Sequence, residues 1–279
     1  MQENSQLVNL QNEIRSRYDG LSKRLKQVAQ YILDNNNSVV FDTVATISER
    51  AGVPPSTLIR FANAFGFSGF NEMKQIFREN LMEETVSYTE RLQVFRQLEP
   101  EQGGQESPSD ILNIFAQANG HALQQLANQT SPEQLQSAVE ILNDAQNIFI
   151  IGLKRSFSVA CYLDYALHHL DCRSFVINGL GGMFDEQLNQ VKDGDVVVAI
   201  SFSPYAKETL EIMHTSSQKG IKQIAITDSQ ISPLITFSDV SFVIKEAQAH
   251  GFRSQCAAMT LVQTLAIALA LKKEQQNNG

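Results

Sequence analysis

The chain has 279 residues, of which 43% are hydrophobic and 19% charged, and its formal net charge is −8 at pH 7. This length allows two domains or one large one, and the composition is typical of a soluble globular protein. No apolar run approaches the roughly 18 residues that a membrane span needs, and the polar N-terminus lacks the apolar core of a signal peptide.

The first 80 residues predict a compact all-α module. Apolar residues at helical spacing indicate four helices, over 21–33, 43–51, 56–65 and 71–82. Gly52 ends the second helix, and Pro54 and Pro55 can only precede or begin the third. We expect the third helix to bury Leu58, Ile59, Ala62 and Phe65.

The second and third helices, joined by a glycine-containing turn, are typical of a helix-turn-helix that reads double-stranded DNA. Arg60 suits a bidentate contact to guanine, and Asn63 suits adenine. Ser56 and Thr57 can reach bases or phosphates. The predicted DNA-contacting residues are therefore Ser56, Thr57, Arg60 and Asn63. The alternative is a solvated face on an ordinary helical bundle.

The charge is unevenly distributed along the chain. Residues 1–80 carry 9 Lys and Arg against 8 Asp and Glu, whereas residues 81–279 carry 13 against 22. The acidic part repels DNA and favours one docking orientation. Because the helical module is nearly neutral, we expect weak nonspecific binding and a need for two half-sites per dimer.

The second half of the chain predicts an α/β domain. Residues 98–109 hold two Pro and two adjacent Gly, so we predict a helix-turn-helix domain over 1–82, a linker over 83–109 and a second domain over 110–279. Helices are predicted over 110–126 and 132–142. Short β-branched strands at 148–151, 174–177, 196–200, 223–226 and 240–244 then alternate with helices near 156–170, 183–191, 206–219, 231–236 and 253–272. Such apolar strands indicate a five-stranded parallel sheet flanked by helices.

Two serine-containing loops come after the first and third predicted strands. Ligands of open α/β sheets bind beyond the carboxyl ends of the strands, and the N-terminal amides of the next helices favour anions. Ser156, Ser201 and Ser203 can donate to phosphate oxygens, while Lys154 and Arg155 add positive charge. The loops therefore predict a site for a phosphorylated ligand. The alternative is that the serines only cap helices.

These motifs resemble those of one known family. The segment VPPSTLIRFANAFGFSGF at 53–70 resembles the helix-turn-helix of the RpiR family of bacterial sugar-responsive transcription regulators, although Pro54 stands where the family often has Ser. The loops IIGLKRSFS at 150–158 and ISFSPYAKET at 200–209 resemble those of the SIS (sugar isomerase) domain that ends RpiR proteins. Lys154 and Pro204 replace glycines of the SIS patterns, and Ala206 replaces a phosphate-binding Thr.

The resemblance implies a cytoplasmic bacterial regulator, nucleoid-associated when bound to its operator, rather than an enzyme. It implies operator DNA, a sugar-phosphate or polyol-phosphate effector and a homodimer or homotetramer as partners, with no membrane. It also implies that Glu246 or His250 contacts the sugar. The predicted ligand residues are Lys154, Arg155, Ser156, Ser201, Ser203, Tyr205, Glu246 and His250.

Two other functions remain open at this point. The first is an SIS-type sugar-phosphate isomerase with Glu246 or His250 as base. The second is a DNA-binding protein whose SIS domain only dimerises. The three cysteines (Cys161, Cys172 and Cys256) lack zinc spacing and cannot all pair, so we interpret them as reduced thiols and expect no metal and no cofactor.

Overall fold

The computed structural model describes residues 6–36, 38–84, 87–98 and 107–277. The chain divides into two units, Met1–Glu106 and Ser107–Gly279. The domain boundaries predicted from the sequence stay predictions. A helix at Tyr88–Leu98 lies within the predicted linker, whose residues 85–86 and 99–106 fall outside the described residues.

In its described part, the N-terminal unit consists of helices. They are α1 (Gln6–Arg17), α2 (Lys23–Asp34), α3 (Val44–Arg50), α4 (Pro55–Ala64), α5 (Phe70–Glu84) and α6 (Tyr88–Leu98), with a short 3-10 helix at Tyr18–Gly20. Helix α1 was not predicted, although its buried Leu7, Leu10 and Ile14 have the i, i+3, i+7 spacing of a helix face.

The core of this unit confirms the all-α prediction, with one correction. Leu58 and Phe61 of α4 are fully buried, and helices α2, α3 and α5 pack around them. Ile59, which we expected in the core, is 50% exposed. It is exposed because it lies on the same outward face of α4 as Arg60. The helix therefore presents an apolar side chain to solvent.

The turn between α3 and α4 depends on two unusual residues. Gly52 adopts φ +66, a left-handed conformation that glycine reaches without strain. Pro54 cannot cap α4 with a side-chain hydroxyl, but its carbonyl oxygen accepts the N–H of Thr57 at 2.8 Å. Pro55 at the first helical position has no N–H that would need a partner. The helix start thus tolerates the loss of the serine cap.

The C-terminal unit is an α/β fold. Its elements are α7 (Pro108–Gln129), α8 (Pro132–Asp144), β1 (Ile148–Gly152), α9 (Ser156–His168), β2 (Ser174–Val176), α10 (Phe184–Leu188), β3 (Val196–Ile200), α11 (Lys207–Gln218), β4 (Lys222–Thr227), β5 (Val240–Val243), β6 (Gln248–Ala249), β7 (Phe252–Arg253) and α12 (Cys256–Asn277), with 3-10 helices at Leu180–Gly182 and Ile235–Phe237. Strands β1 to β5 form a parallel sheet in the order β2-β1-β3-β4-β5, which confirms the predicted sheet.

Helices cover both faces of the sheet. Ile148 and Ile150 of β1 belong to a core with α8, α9 and α12, whereas Phe149 and Ile151 face a second core with α10 and α11. Strand β2 lies on one side of β1, and β3, β4 and β5 follow on the other side. The direction in which strands are added therefore reverses between β1 and β3, which is the topological switch point.

One hairpin of this unit was not predicted, and two predicted helices differ from the structure. An antiparallel hairpin, β6 with β7, was not predicted, because strands of two residues are too short to show a periodic pattern. Because Phe252–Arg253 forms a strand, the final helix begins at Cys256 rather than at 253. The helix predicted over 231–236 is only the 3-10 turn Ile235–Phe237.

The last helix also corrects an expectation about membrane spans. The segment Cys256–Gln276 of α12 is long and apolar enough, by length and composition alone, to cross a membrane. In the structure, however, α12 packs against α8 and α9, and Leu261, Val262 and Leu265 are buried in the core of the unit. One side of α12 therefore belongs to the core of the unit, while Ile267 and Leu271 on the helix are exposed.

Gly152 sets the distance between β1 and α9. A Cβ at this position would lie 2.7 Å from the Ser156 carbonyl oxygen and 3.0 Å from the Ala160 Cβ. We predict that Gly152→Ala lowers the free energy of unfolding by about 1–3 kcal/mol, because α9 must move away from the strand. Urea unfolding monitored by circular dichroism measures this loss.

Gly120→Ala is the matched control. Gly120 lies on an exposed part of α7, and an added Cβ would meet no atom within 4 Å. This variant should gain about 0.5–1 kcal/mol from helix propensity. Equal effects of the two substitutions would contradict the close approach of α9.

Candidate functional site

The outward face of α4 carries most of the predicted DNA-contacting residues. Ser56, Arg60 and Asn63 are exposed and lie three to four residues apart, so they share one side of the helix. Ile59 lies among them, half exposed. The face therefore combines a cation, an amide, a hydroxyl and an apolar group.

Thr57 has a different place from the one predicted. It is fully buried, so its side chain cannot reach bases or phosphates in this conformation. Its hydroxyl oxygen accepts a hydrogen bond from the Arg60 guanidinium at 3.3 Å. Thr57 thus orients Arg60 instead of contacting DNA itself. It turns inward because it lies on the same face as Leu58 and Phe61.

In the C-terminal unit, the loop after β1 has two cationic side chains directly before the start of α9. We define the first loop as residues 153–155. Lys154 and Arg155 are exposed, and Ser156, the first residue of α9, is 7% exposed. Lys154 adopts φ +55, a left-handed conformation that is costly for a side chain other than glycine. Such strain at a non-glycine residue is common at ligand-binding sites.

The loop after β3 runs beside the first loop. We define the second loop as residues 201–206, which lead into α11. Ser201 is 5% exposed, and its hydroxyl oxygen accepts the N–H of Ala206 at 3.4 Å. The Ser203–Pro204 peptide bond is cis. The hydrogen bond between the Ser201 hydroxyl oxygen and the Ala206 amide thus joins the two ends of the second loop.

Asp228, which the sequence patterns did not single out, accepts two hydrogen bonds from the second loop. Its Oδ2 accepts the N–H of Ser203 at 3.0 Å, and its Oδ1 accepts the Tyr205 hydroxyl at 2.9 Å. Burial and the neighbouring Asp228 carboxylate raise the pKa of Tyr205 to about 12, so the phenol remains a donor. Asp228 comes directly after β4, and the strand-end rule that identified the serine loops also applies to it.

Residues 253–255, just before α12, join the two loops. Arg253 donates to the Ser203 carbonyl oxygen at 3.1 Å, and its NH1 lies 3.6 Å from Oδ2 of Asp228. The Gln255 side chain donates to the Arg155 carbonyl oxygen and accepts the Ser158 hydroxyl at 2.7 Å. This segment therefore fixes the second loop through Arg253 and the first loop through Gln255.

The side chain of Glu246 is hydrogen-bonded to the protein backbone. Its two carboxylate oxygens accept the N–H groups of Ala257 and Ala258 at 3.0 and 2.7 Å, at the start of α12. Burial raises the pKa of Glu246, while the two amides, Arg253 and Arg155 act in the opposite direction. The carboxylate thus serves as the anion at this helix N-terminus.

His250 lies at the tip of the β6–β7 hairpin. His250 and Gly251 have φ values of +50 and +74, as in the two-residue type I′ turn that joins short antiparallel strands. Strand β6 lies beside α7. The imidazole is partly buried. Its predicted contact with a ligand stays a prediction.

The site offers polar and charged groups beyond the carboxyl ends of the strands. Among the described residues, no group of three or more His, Cys, Asp or Glu side chains could hold a metal ion. The groups that converge beyond the strand ends are hydroxyls, backbone amides, cations and the carboxylates of Asp228 and Glu246. This set suits a polar ligand with an anionic group.

Comparison with known proteins assigns a family description to each part of the chain. The helix-turn-helix domain of the rpiR family matches residues 8–84, and the SIS domain matches residues 141–271. The HTH-type transcriptional regulator HexR of Pseudomonas aeruginosa is 26% identical over 276 residues, covering 96% of this chain and 91% of its own length.

Two further proteins agree with this description. An uncharacterised HTH-type transcriptional regulator of Caldanaerobacter subterraneus is 27% identical over 256 residues, covering 88% of this chain and 85% of its own. The structure of Vibrio vulnificus NanR complexed with ManNAc-6P superposes with a TM-score of 0.59 at 23% identity, covering 97% of this chain and 94% of that one. At this identity the superposition supports the fold alone.

The placement of Glu246 predicts a structural effect. Glu246→Ala should lower the free energy of unfolding by about 1–2 kcal/mol, because two amides of α12 lose their acceptor. Urea unfolding measures the loss of free energy of unfolding. Glu274→Ala, an exposed glutamate near the other end of α12, is the control and should change stability by less than about 0.5 kcal/mol. An unchanged stability in Glu246→Ala would contradict the capping role.

The stability difference should also depend on pH. Because the pKa of Glu246 is raised, the folded state holds the proton more tightly than the unfolded state does. The advantage of the wild type over Glu246→Ala should therefore shrink as the pH rises from the usual glutamate pKa of about 4.3 through the raised value. An advantage that grows over this range would contradict the raised pKa.

Proposed function

Because the chain belongs to the RpiR family of transcription regulators and ends in an SIS domain, we propose that a phosphorylated sugar or polyol switches its binding to operator DNA. The observation that carries this proposal is the position of the two loops. They flank the switch point between β1 and β3, where open α/β sheets bind ligands.

The DNA-reading surface is the exposed face of α4. Arg60 binds a guanine edge, Asn63 binds adenine, and Ser56 reaches a base or a phosphate. The exposed Ile59 adds an apolar contact suited to a thymine methyl group. Thr57 holds the Arg60 guanidinium in place for this contact.

The effector site combines the two loops with the N-terminal ends of α9 and α11. The amides of a helix start favour an anion, and Lys154 and Arg155 supply positive charge beside Ser156. Ser203, Tyr205 and Asp228 offer polar groups for sugar hydroxyls. The solved NanR structure, whose ligand is ManNAc-6P, supports a phosphorylated sugar as the class of effector.

Oligomerisation connects the two functions. Paired half-sites require a homodimer or homotetramer. Leu112 of α7 and Ile267 and Leu271 of α12 are more than half exposed, which makes these two helices the best candidates for subunit contacts. Effector binding then changes the relative stability of two arrangements of the oligomer and so its affinity for DNA.

We place the protein in the bacterial cytoplasm, at the nucleoid when bound to its operator, and regard it as a regulator without enzymatic activity. An isomerase with Glu246 as base would need a free carboxylate near the substrate. Both oxygens of Glu246 accept backbone amides instead, which supports the regulator. The relatives HexR and the Caldanaerobacter protein are likewise named as transcriptional regulators.

Arg60→Ala tests the DNA half of the proposal. It should weaken binding to a DNA fragment selected from a random pool by about 1–3 kcal/mol, because a bidentate base contact is lost. Fluorescence anisotropy measures the affinity, and Arg15→Ala, an exposed arginine on α1, is the control. Full operator affinity in Arg60→Ala would show that α4 does not read DNA through this residue.

Arg155→Ala tests the effector half. A thermal-shift screen against phosphorylated sugars and polyols should identify a ligand, which at 100 times its Kd stabilises the protein by about 2.7 kcal/mol. Arg155→Ala should abolish that shift and leave DNA affinity unchanged, because Arg155 lies in the C-terminal unit and not on the DNA-reading face of α4. Lys219→Ala, an exposed cation at the far end of α11, is the control. If no phosphorylated compound shifts the wild type, the proposed class of effector is wrong.

A further inference from the structure

We propose that Lys74 and Arg78 of α5 bind a phosphate of the operator backbone beside the start of α3. Both residues lie outside the helix-turn-helix motif itself, which ends with α4. The inference rests on the proposed function, because it assigns a second contact surface for the same DNA. This surface supplies affinity through the phosphate backbone, whereas Arg60 reads bases.

Asp42, directly before the cap of α3, connects the cations of this surface. Its carboxylate oxygen Oδ2 accepts the Tyr31 hydroxyl and the Arg50 guanidinium, both at 2.8 Å. Its carbonyl oxygen accepts the Lys74 ammonium at 2.6 Å, a contact between residues 32 positions apart in the chain. Lys74 of α5 is therefore held at the point where α3 begins.

The ammonium of Lys74 bonds a neutral acceptor in a partly buried place. The Asp42 carboxylate forms its ion pair with Arg50, and the group that bonds Lys74 is the Asp42 carbonyl. Burial and the neighbouring Arg78 lower the pKa of Lys74, and Asp42 offsets this only in part. The charged form of Lys74 is thus held at an electrostatic cost that an anion would relieve.

Lys74 and Arg78 have the spacing of a two-cation phosphate site. They lie one turn apart on α5, and both are partly exposed. Residues four apart on a helix are neighbours, so like charges at this spacing repel each other and destabilise the helix. A phosphate placed between them replaces this repulsion by two charge-assisted hydrogen bonds.

The contact between α5 and the start of α3 indicates which phosphate this is. In a helix-turn-helix, the second helix reads bases in the major groove while the first helix crosses the DNA backbone. Helix α3 is the first helix of the motif, and Lys74 bonds the residue before its cap, Thr43. A DNA backbone that passes α3 therefore comes within reach of Lys74 and Arg78.

Such a contact suits a unit with little net charge. Residues 1–80 carry 9 Lys and Arg against 8 Asp and Glu, and Arg60 is the single cation of α4. Two cations beside α3 place positive charge where the backbone runs, without a broad basic face. Affinity for the phosphates and reading of the bases are then divided between α5 and α4.

DNA binding over a range of salt concentrations tests the inference. The double variant Lys74→Gln with Arg78→Gln removes both charges from the full-length protein. The slope of log K against log salt concentration should become shallower by about 0.9, the value for one phosphate contact. Affinity at about 0.1 M salt should fall roughly eightfold, and the loss should vanish towards about 1 M salt. Fluorescence anisotropy measures both quantities.

Comparison of two duplexes separates a backbone contact from base reading. A phosphate contact carries no sequence information, so the double variant should lose the same factor on the selected fragment and on an unrelated duplex of equal length. Arg60→Ala should instead lower the ratio of the two affinities, because it removes a contact to a base.

Charge-preserving and charge-removing controls isolate the role of Lys74 and Arg78. Lys74→Arg with Arg78→Lys keeps both charges and should keep the wild-type slope. Arg15→Gln removes a positive charge from an exposed position of α1 and should leave the slope unchanged. Urea unfolding shows whether each variant is folded. If the double variant is unfolded, Arg78→Gln alone leaves the Lys74 bond intact and should still make the slope shallower.

The outcomes separate this inference from the proposed function. A loss of affinity with an unchanged slope overturns the inference, since Lys74 would then only hold the start of α3. Unchanged affinity and slope also overturn it, while a lowered affinity ratio in Arg60→Ala would still support base reading by α4. A shallower slope supports the inference even if no phosphorylated sugar alters DNA binding, in which case only the proposed effector switch fails.

Discussion

The candidate effector site depends on one constraint, the parallel pairing of β1 with β3 at the switch point of the sheet. This pairing sets Gly152, at the carboxyl end of β1, opposite Ile200 at the carboxyl end of β3. Residues that are far apart in the chain thereby leave the sheet side by side, and each loop leads into a helix. The close approach of α9 to β1, which the missing side chain of Gly152 permits, then brings the start of the helix to the site.

The strands and both serine loops could be predicted because they depend on local patterns. Each central strand is a short, fully apolar run, and the residues directly after such a strand must lie at the ligand-binding edge. Asp228 was missed although it obeys the same rule, since it carries no motif. Arg253 and Gln255 could not be placed, because their contacts depend on a hairpin too short to leave a periodic signal. Residue type alone suggested Thr57 for DNA, whereas helical periodicity places it with Leu58 and Phe61.

Pro54 shows that a sequence departure need not remove a structural element. A serine cap at this position would satisfy an amide of α4 through its hydroxyl. Here the Pro54 carbonyl accepts the amide of Thr57, and Pro55 has no amide to satisfy. The chain keeps the start of its recognition helix with two rigid residues, and the buried Thr57 then holds Arg60. The same turn thus positions the residue that carries most of the predicted base reading.

The departures in the two loops form a consistent set when the contacts are considered together. The first loop gains a cation at Lys154, at the cost of a left-handed backbone. The second loop loses a hydroxyl at Ala206, and its Ser203 amide and Tyr205 hydroxyl donate to the carboxylate of Asp228. The first departure adds a positive charge, whereas the second removes a neutral hydrogen-bonding group. Neither departure alters the pairing of β1 with β3, so the two loops still leave the sheet side by side at the switch point.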